Sequence, residues 1–168
     1  KKRQNKTAII TVNQNKEIRK YSFIQIDKKV NKIANYIKKI SPNKKLRVMI
    51  HASASLESAV LMFTCAKLGW HFSVIFEELE SLGIKNRIKL FRPNIFFSRL
   101  SKKKFISKMG FKSYKKIKFI YDEQFKKIIN AKGNPKKIEN KVVDSPNSLF
   151  TLFTSGSTGV PKGITHST

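Results

Sequence analysis

From Leu46 onward the sequence repeats one arrangement: a short run that stays largely apolar, then a helix-length stretch, then another such run. The runs are LRVMIHAS (Leu46–Ser53), HFSVIF (His71–Phe76), NIFFS (Asn94–Ser98), KIKFIYD (Lys116–Asp122) and SLFTLFTS (Ser148–Ser155). A strand with one wet face alternates apolar and polar residues, whereas a run that does not alternate is buried on both faces. Helices between successive strands supply that cover. The pattern therefore predicts an α/β fold: a mostly parallel sheet with helices on both faces. In such sheets ligands gather beyond the carboxyl ends of the strands.

The stretches between the runs fit this reading. Ser22 and Gln25 form an S-x-x-Q capping box ahead of Phe23, Ile26, Val30, Ile33, Ala34, Ile37 and Ile40, apolar positions at helical spacing. Lys28, Lys29, Lys32, Lys38 and Lys39 mark that helix's wet side, and SPNKK (Ser41–Lys45) ends it. LESAVLMFTCAKLG (Leu56–Gly69) is apolar almost all round, which predicts a buried helix stopped by Gly69. Further helices are expected within Glu78–Phe91, over Lys102–Gly110 and behind Asp122. At the start, TAIITV (Thr7–Val12) and IRKYS, separated by a polar turn, read as a pair of short strands.

Composition narrows the function classes. Lys and Arg number 36 against 10 Asp and Glu, a net charge of +26 that predicts salt-sensitive attraction to polyanions. The cations are spread along the whole chain, with short clusters at Lys102–Lys104, Lys115–Lys116 and Lys136–Lys137 and no long basic tail. Lys far outnumbers Arg, the residue that reads guanine edges, so no specific nucleic-acid partner is expected. The one cysteine, Cys65, sits among apolar neighbours and reads as a buried hydrophobe. His51, His71 and His166 are far apart and show no metal-ligand spacing, so no protein metal site is expected. No apolar run reaches the ~18–20 residues of a membrane span, and with no signal peptide in view the expected location is the cytoplasm. The chain starts at Lys1 without Met and stops at Thr168 just after its most distinctive loop, which suggests a fragment cut at both ends.

That loop is FTSGSTGVPKG, Phe153 to Gly163. Gly156, Gly159 and Gly163 permit positive φ and close backbone approach to a ligand, and successive amides in such a turn make an anion nest. Thr154, Ser155, Ser157 and Thr158 add hydroxyl donors, Lys162 adds a charge, and no acid opposes them. These residues describe a phosphate cradle. A Walker A loop is excluded, because Pro161 stands where that pattern starting at Gly156 needs its second glycine. The order Gly156-Ser157-Thr158-Gly159 also breaks the nucleophile elbow G-x-S-x-G.

The same stretch resembles the phosphate-loop signature (Y/F)-T-S-G-(S/T)-T-G-x-P-K-G of the AMP-forming adenylating enzymes, which include acyl-CoA synthetases, luciferases and nonribosomal peptide adenylation domains. The sequence ITHST (Ile164–Thr168) is similar to the V-x-H-(T/S)-T that follows in the acetyl- and propionyl-CoA synthetase branch. CAKLGWHFSVIFEEL (Cys65–Leu79) is similar to CARIGAVHSVVFGGF of that branch, and SFIQIDKKVNKIANYI (Ser22–Ile37) to its TYxELxxxVNRxANxL. The likeness runs over most of the chain in the expected order. It implies that residues 1–168 are part of the large N-terminal adenylation domain, with the C-terminal domain absent.

It further implies an AMP-forming acid–thiol ligase. A small carboxylic acid reacts with ATP to give acyl-AMP, and CoA then takes the acyl group as its thioester. Thr154, Ser155, Gly156, Ser157, Thr158 and Gly159 would contact the phosphates, which share their charge with Mg²⁺. Lys162 would neutralise charge or anchor the loop. No catalytic residue is assigned within the chain. His166 fits either a pocket wall or a structural strand end, and His51 a structural role. Three departures bear on the CoA side: His71 stands one place before the V-H-S histidine, Glu77 and Glu78 replace glycines, and Arg99–Lys104 keeps the charges of a CoA-phosphate stretch without its glycine. Two rivals stay open: transfer of another acid to a carrier-protein thiol, and a basic nucleic-acid-binding module.

Overall fold

The computed structural model describes residues 3–42, 45–110, 114, 116–143, 147–154 and 161–167. Two short strands come first, β1 (Thr7–Val12) and β2 (Ile18–Ser22), antiparallel to each other and packed on α1 (Phe23–Ile40). Strands and helices then alternate: β3 (Arg47–His51), α2 (Leu56–Leu68), β4 (His71–Ile75), α3 (Ser81–Phe91), β5 (Ile95–Ser98), α4 (Lys102–Met109), β6 (Lys118–Tyr121) and α5 (Asp122–Asn130). The hairpin β7 (Ser148–Thr154) and β8 (Lys162–Ser167) closes the order. The main sheet runs β6-β5-β3-β4-β7-β8, parallel throughout except for β8.

Strand order and helix placement agree. The chain steps from β3 to β4 through α2, reverses across β3 to β5 through α3, continues to β6 through α4, and reverses again to β7 after α5. A right-handed crossover puts its helix on the opposite face whenever the direction of travel reverses. One apolar cluster accordingly joins α1, α2 and α5 to Val48, Ile50, Ile95, Phe97 and Ile120, and a second joins α3 and α4 to Met49, Ile75, Phe96 and Tyr121. Successive residues of β3 enter opposite clusters, which is why this strand has no polar face to alternate.

The helix ends follow local chemistry. Ser22 and Gln25 form the expected reciprocal cap on α1, with Ser22 N–H donating to Gln25 Oε1 at 2.8 Å. A second capping box, Ser55 with Ser58, starts α2. That helix is less enclosed than its composition predicts: Phe63 is 50% exposed, because a helix lying in one outer layer keeps an outward stripe. Cys65 is fully buried, and burial pushes its thiol well above the usual range, so it is an inert hydrophobe.

Residues 131–143 form a strap across α1 and α2 on the way to β7. Asn35 Nδ2 donates to Lys136 O at 2.8 Å, Ile138 N–H to Asn31 Oδ1 at 3.0 Å, and Lys141 N–H to Lys67 O at 2.8 Å. Gly69 ends α2 at φ +62°, and a Cβ there would meet Val143 Cγ1 of the strap at 2.4 Å. Both conformation and space demand glycine.

At the carboxyl edge of the sheet, His51 braces three elements. Its Nε2 lies 3.2 Å from the Glu77 carbonyl and its Nδ1 3.0 Å from Ser98 Oγ. A carbonyl only accepts, so Nε2 carries the proton. Nδ1 then accepts from the Ser98 hydroxyl, whose oxygen accepts from Leu100 N–H at 3.2 Å. Burial, reinforced by the Lys108 cation, lowers the His51 pKa to about 4, against the opposing pull of Glu77 and Glu78. The role is structural, as the sequence suggests.

Two outcomes follow. A folded-state pKa below the unfolded value means that the unfolded chain binds the extra proton first. His51 thus contributes stability that is complete above about pH 6.5 and is lost as pH falls toward 4. Its slope is at most about 1.4 kcal/mol per pH unit. Denaturant midpoints between pH 7 and 5 should fall less steeply in His51→Gln than in wild type; equal slopes would contradict the bracing. Gly69→Ala should destabilise by about 1–3 kcal/mol, and an unchanged midpoint would contradict the close strap contact.

Candidate phosphate-binding hairpin

The Ser/Gly-rich stretch sits between two strands that pair with each other. Facing pairs along β7 and β8 include Phe150 with His166, Thr151 with Thr165, Leu152 with Ile164, Phe153 with Gly163 and Thr154 with Lys162. The connection from 155 to 161 therefore leaves the carboxyl end of β7 and returns beside it. Because β7 runs parallel to β4, this connection starts at the sheet edge where α/β folds gather ligands.

Of the residues expected to contact phosphate, Thr154 and Lys162 form the neck of the hairpin. Thr154 Oγ1 donates to Lys162 O at 3.4 Å, and both residues are exposed. Ser155, Gly156, Ser157, Thr158 and Gly159 lie outside the described residues. Gly163 departs from expectation. Its φ is not positive; instead a Cβ there would meet Thr151 Cγ2 at 3.0 Å and Phe153 Cε1 at 3.3 Å. Glycine at 163 serves cross-strand packing rather than a left-handed turn.

The remaining candidates separate. His166 stacks on Phe150 with centroids 4.6 Å apart and planes 20° from parallel. It stands four residues along β8 from Lys162, roughly 13 Å at the usual strand rise, and so away from the loop end. Arg99 leaves the carboxyl end of β5 with its guanidinium 3.2 Å from Glu57 Oε2, and Ser101 caps α4. Glu77 accepts from the Ser53 hydroxyl at 3.1 Å. Arg99 and Glu77 thus have partners within the chain, while Lys102, Lys103 and Lys104 stay exposed on the first turn of α4.

On the α3 side of the sheet a hollow of about 290 Å³ runs beside the hairpin, lined by Arg47, His71, Phe91, Thr151, Phe153 and Thr165 among others. His71 Nε2 is hydrogen-bonded to Thr151 Oγ1 at 2.8 Å, and Thr151 Oγ1 to Thr165 Oγ1 at 2.8 Å. Burial and the Arg47 charge hold the His71 pKa below its ordinary value. Sequence reading missed this contact, since it depends on β7 lying between β4 and β8. A larger hollow of about 580 Å³ belongs to the opposite layer, between α1 and α5.

Among the described residues the exposed lysines do not converge on one surface. α1 and α5 carry them on one layer of the sandwich, and α3 and α4 on the other. Among the described residues no group of three or more His, Cys, Asp or Glu comes together, and no helix is long and apolar enough to cross a membrane.

Comparison with known proteins agrees with this architecture. Acetyl-coenzyme A synthetase of Campylobacter jejuni subsp. jejuni serotype O:23/36 (strain 81-176) is 29% identical over 189 residues, covering 99% of this chain. The enzyme of the same name from Helicobacter pylori (strain HPAG1) is 28% identical over 197 residues, again covering 99% of this chain. The chain spans 29% of the length of each of these relatives. Among solved structures, acetoacetyl-CoA synthetase from Streptomyces lividans superposes with a TM-score of 0.78 at 15% identity, over 99% of this chain and 28% of that one. A fatty acyl-adenylate ligase from L. pneumophila, in complex with acyl adenylate and pyrophosphate, gives 0.76 at 20% identity, over 97% of this chain and 28% of that one. At such identities these structures establish the shared fold. The AMP-binding enzyme family matches residues 1–168, the whole length. The chain belongs to the AMP-binding enzyme family.

Proposed function

We propose that this chain is the ATP-phosphate-binding part of an acyl-CoA synthetase that activates a short carboxylic acid. In this reading residues 1–168 are a section of the large N-terminal domain. The observation that carries it is the β7–β8 hairpin, whose Ser/Gly-rich connection leaves the carboxyl end of a parallel strand in a chain matching the AMP-binding enzyme family along its length. Similarity to acetyl-coenzyme A synthetases supports the choice of acid and of CoA as acceptor.

The chemistry runs in two steps. A carboxylate oxygen attacks the α-phosphorus of ATP, the bond from that phosphorus to the bridging oxygen breaks, and pyrophosphate leaves with the bond's electron pair. The thiolate of CoA then attacks the acyl carbon and AMP departs. Such steps depend on positioning and charge neutralisation more than on covalent help from the protein. Thr154, Ser155, Gly156, Ser157, Thr158 and Gly159 would donate to the β- and γ-phosphate oxygens, and Lys162 at the neck would offset their charge. Mg²⁺ would arrive with the nucleotide; the described residues bring together no acidic cluster to hold it alone, and no step is assigned to it. The pairing of Arg99 with Glu57 takes one cation of the Arg99–Lys104 stretch away from a CoA phosphate, so a carrier-protein thiol is the second reading for the acceptor.

The test is carboxylate-dependent ATP–pyrophosphate exchange by the full-length protein across acetate, propionate and longer acids. Exchange with the short acids is expected, and none with any acid would overturn the reading. Thr158→Ala and Lys162→Ala should each lower exchange by about ten- to a thousandfold, and wild-type rates would remove those residues from the site. Residues 1–168 by themselves should form no acyl-AMP; its appearance would show that the section is a complete catalyst.

A further inference from the structure

The hairpin that bears the loop joins the sheet, among the described residues, through few ladder pairs. Among the described residues β4 and β7 pair at one ladder position, Phe72 with Phe150, whereas β3 and β4 pair at all five from Arg47–His71 to His51–Ile75. Side chains make up the difference, one set on each face. On the α1 side Phe72 packs against Phe150 at 5.7 Å between centroids, and Phe150 against His166. On the α3 side His71 bonds to Thr151, which bonds to Thr165, so one imidazole reaches both strands of the hairpin. Thr151 is only 6% exposed, which shields the inner half of this link, from His71 to Thr151, from competing water. Phe91 fixes the imidazole from above, edge-on at 5.0 Å and 70°.

We propose that His71 is a positioning residue: acting through Thr151 and Thr165, it sets where the neck of the hairpin, Thr154 and Lys162, stands relative to the carboxyl edge of the sheet. The consequence for nucleotide binding rests on the function proposed above. In the related stretch V-H-S the histidine falls one residue later, and on a strand a shift of one residue turns the side chain to the opposite face. Here it meets the Thr151 hydroxyl, which the β7–β8 register has already placed beside that of Thr165. Phe153, two residues on from Thr151 and on the same face, lies under the Arg87 guanidinium at 5.6 Å and carries the same alignment toward Thr154.

The experiment uses the full-length protein with Thr151→Val, which keeps the shape and removes the hydroxyl, and Thr151→Ser, which keeps the hydroxyl. Thr165→Val, at an exposed position, breaks the outer half of the link without touching the core. Native-state hydrogen exchange should speed up about tenfold at β7 and β8 amides in Thr151→Val, stay unchanged at β3 and β5, and return to wild type in Thr151→Ser. In pyrophosphate exchange the same variant should raise the KM for ATP several-fold while the KM for the carboxylate holds. Unchanged amide exchange in both valine variants, or faster exchange spread evenly over the sheet, would overturn the proposal. So would a loosened hairpin with an unaltered KM for ATP. If the wild-type protein shows no pyrophosphate exchange, the proposed function fails while amide exchange still decides whether His71 holds the hairpin.

Discussion

Burial of β3 on both faces is the constraint from which the rest of the architecture follows. Val48 and Ile50 enter one apolar layer, and Met49 and His51 point into the other. A strand so placed requires a helix layer above and below; right-handed connections distribute α2 and α5 to one side and α3 and α4 to the other, and α1 packs with α2 and α5. That distribution makes the parallel strands end along one edge. The brace at His51 closes the edge by tying β3 to β5 and to the segment after β4.

Set against this centre, the β7–β8 hairpin shares fewer ladder pairs with its neighbour among the described residues. It arrives through a strap held by polar side chains of α1 and by the end of α2, and joins β4 through one backbone pair plus side chains on each face. In the proposed function the loop accepts a highly charged substrate and releases a charged product, an exchange that a yielding mounting favours, because stability is distributed unevenly and mobile elements come from its low end. The edge is also exposed: every residue of β8 is open to solvent, with Ile164 at 52% and Leu152 at 47% on the neighbouring strand. An open apolar edge of this kind promotes pairing with other chains, and in a longer protein it is surface for further packing.

Much of this was legible in the residues. Runs without alternation announced strands covered twice, and each such run is a strand whose bounds shrink by one to three residues at its ends. Ser22 and Gln25 announced the start of α1, and Gly69 the end of α2. Period-two spacing says which residues share a face but not which strand lies alongside; the β4–β7 neighbourhood and the His71–Thr151–Thr165 link were therefore invisible. Composition misled at Phe63, where an apolar residue faces outward, and at Gly163, whose missing side chain answers to Thr151 and Phe153 rather than to φ. For the site, the motif announced the loop, and the strand register places its neck at Thr154 and Lys162.

The central claim is that the connection between β7 and β8 holds the outer phosphates of a nucleotide. Equilibrium affinities for ATP and for AMP, measured calorimetrically on the full-length protein and on Lys162→Ala, separate those phosphates from the rest of the molecule. Lys162→Ala should lose about ten- to a hundredfold in ATP affinity, the scale of one hydrogen bond to a charged group, with AMP affinity unchanged. Equal losses for both nucleotides, or no loss for either, would contradict it.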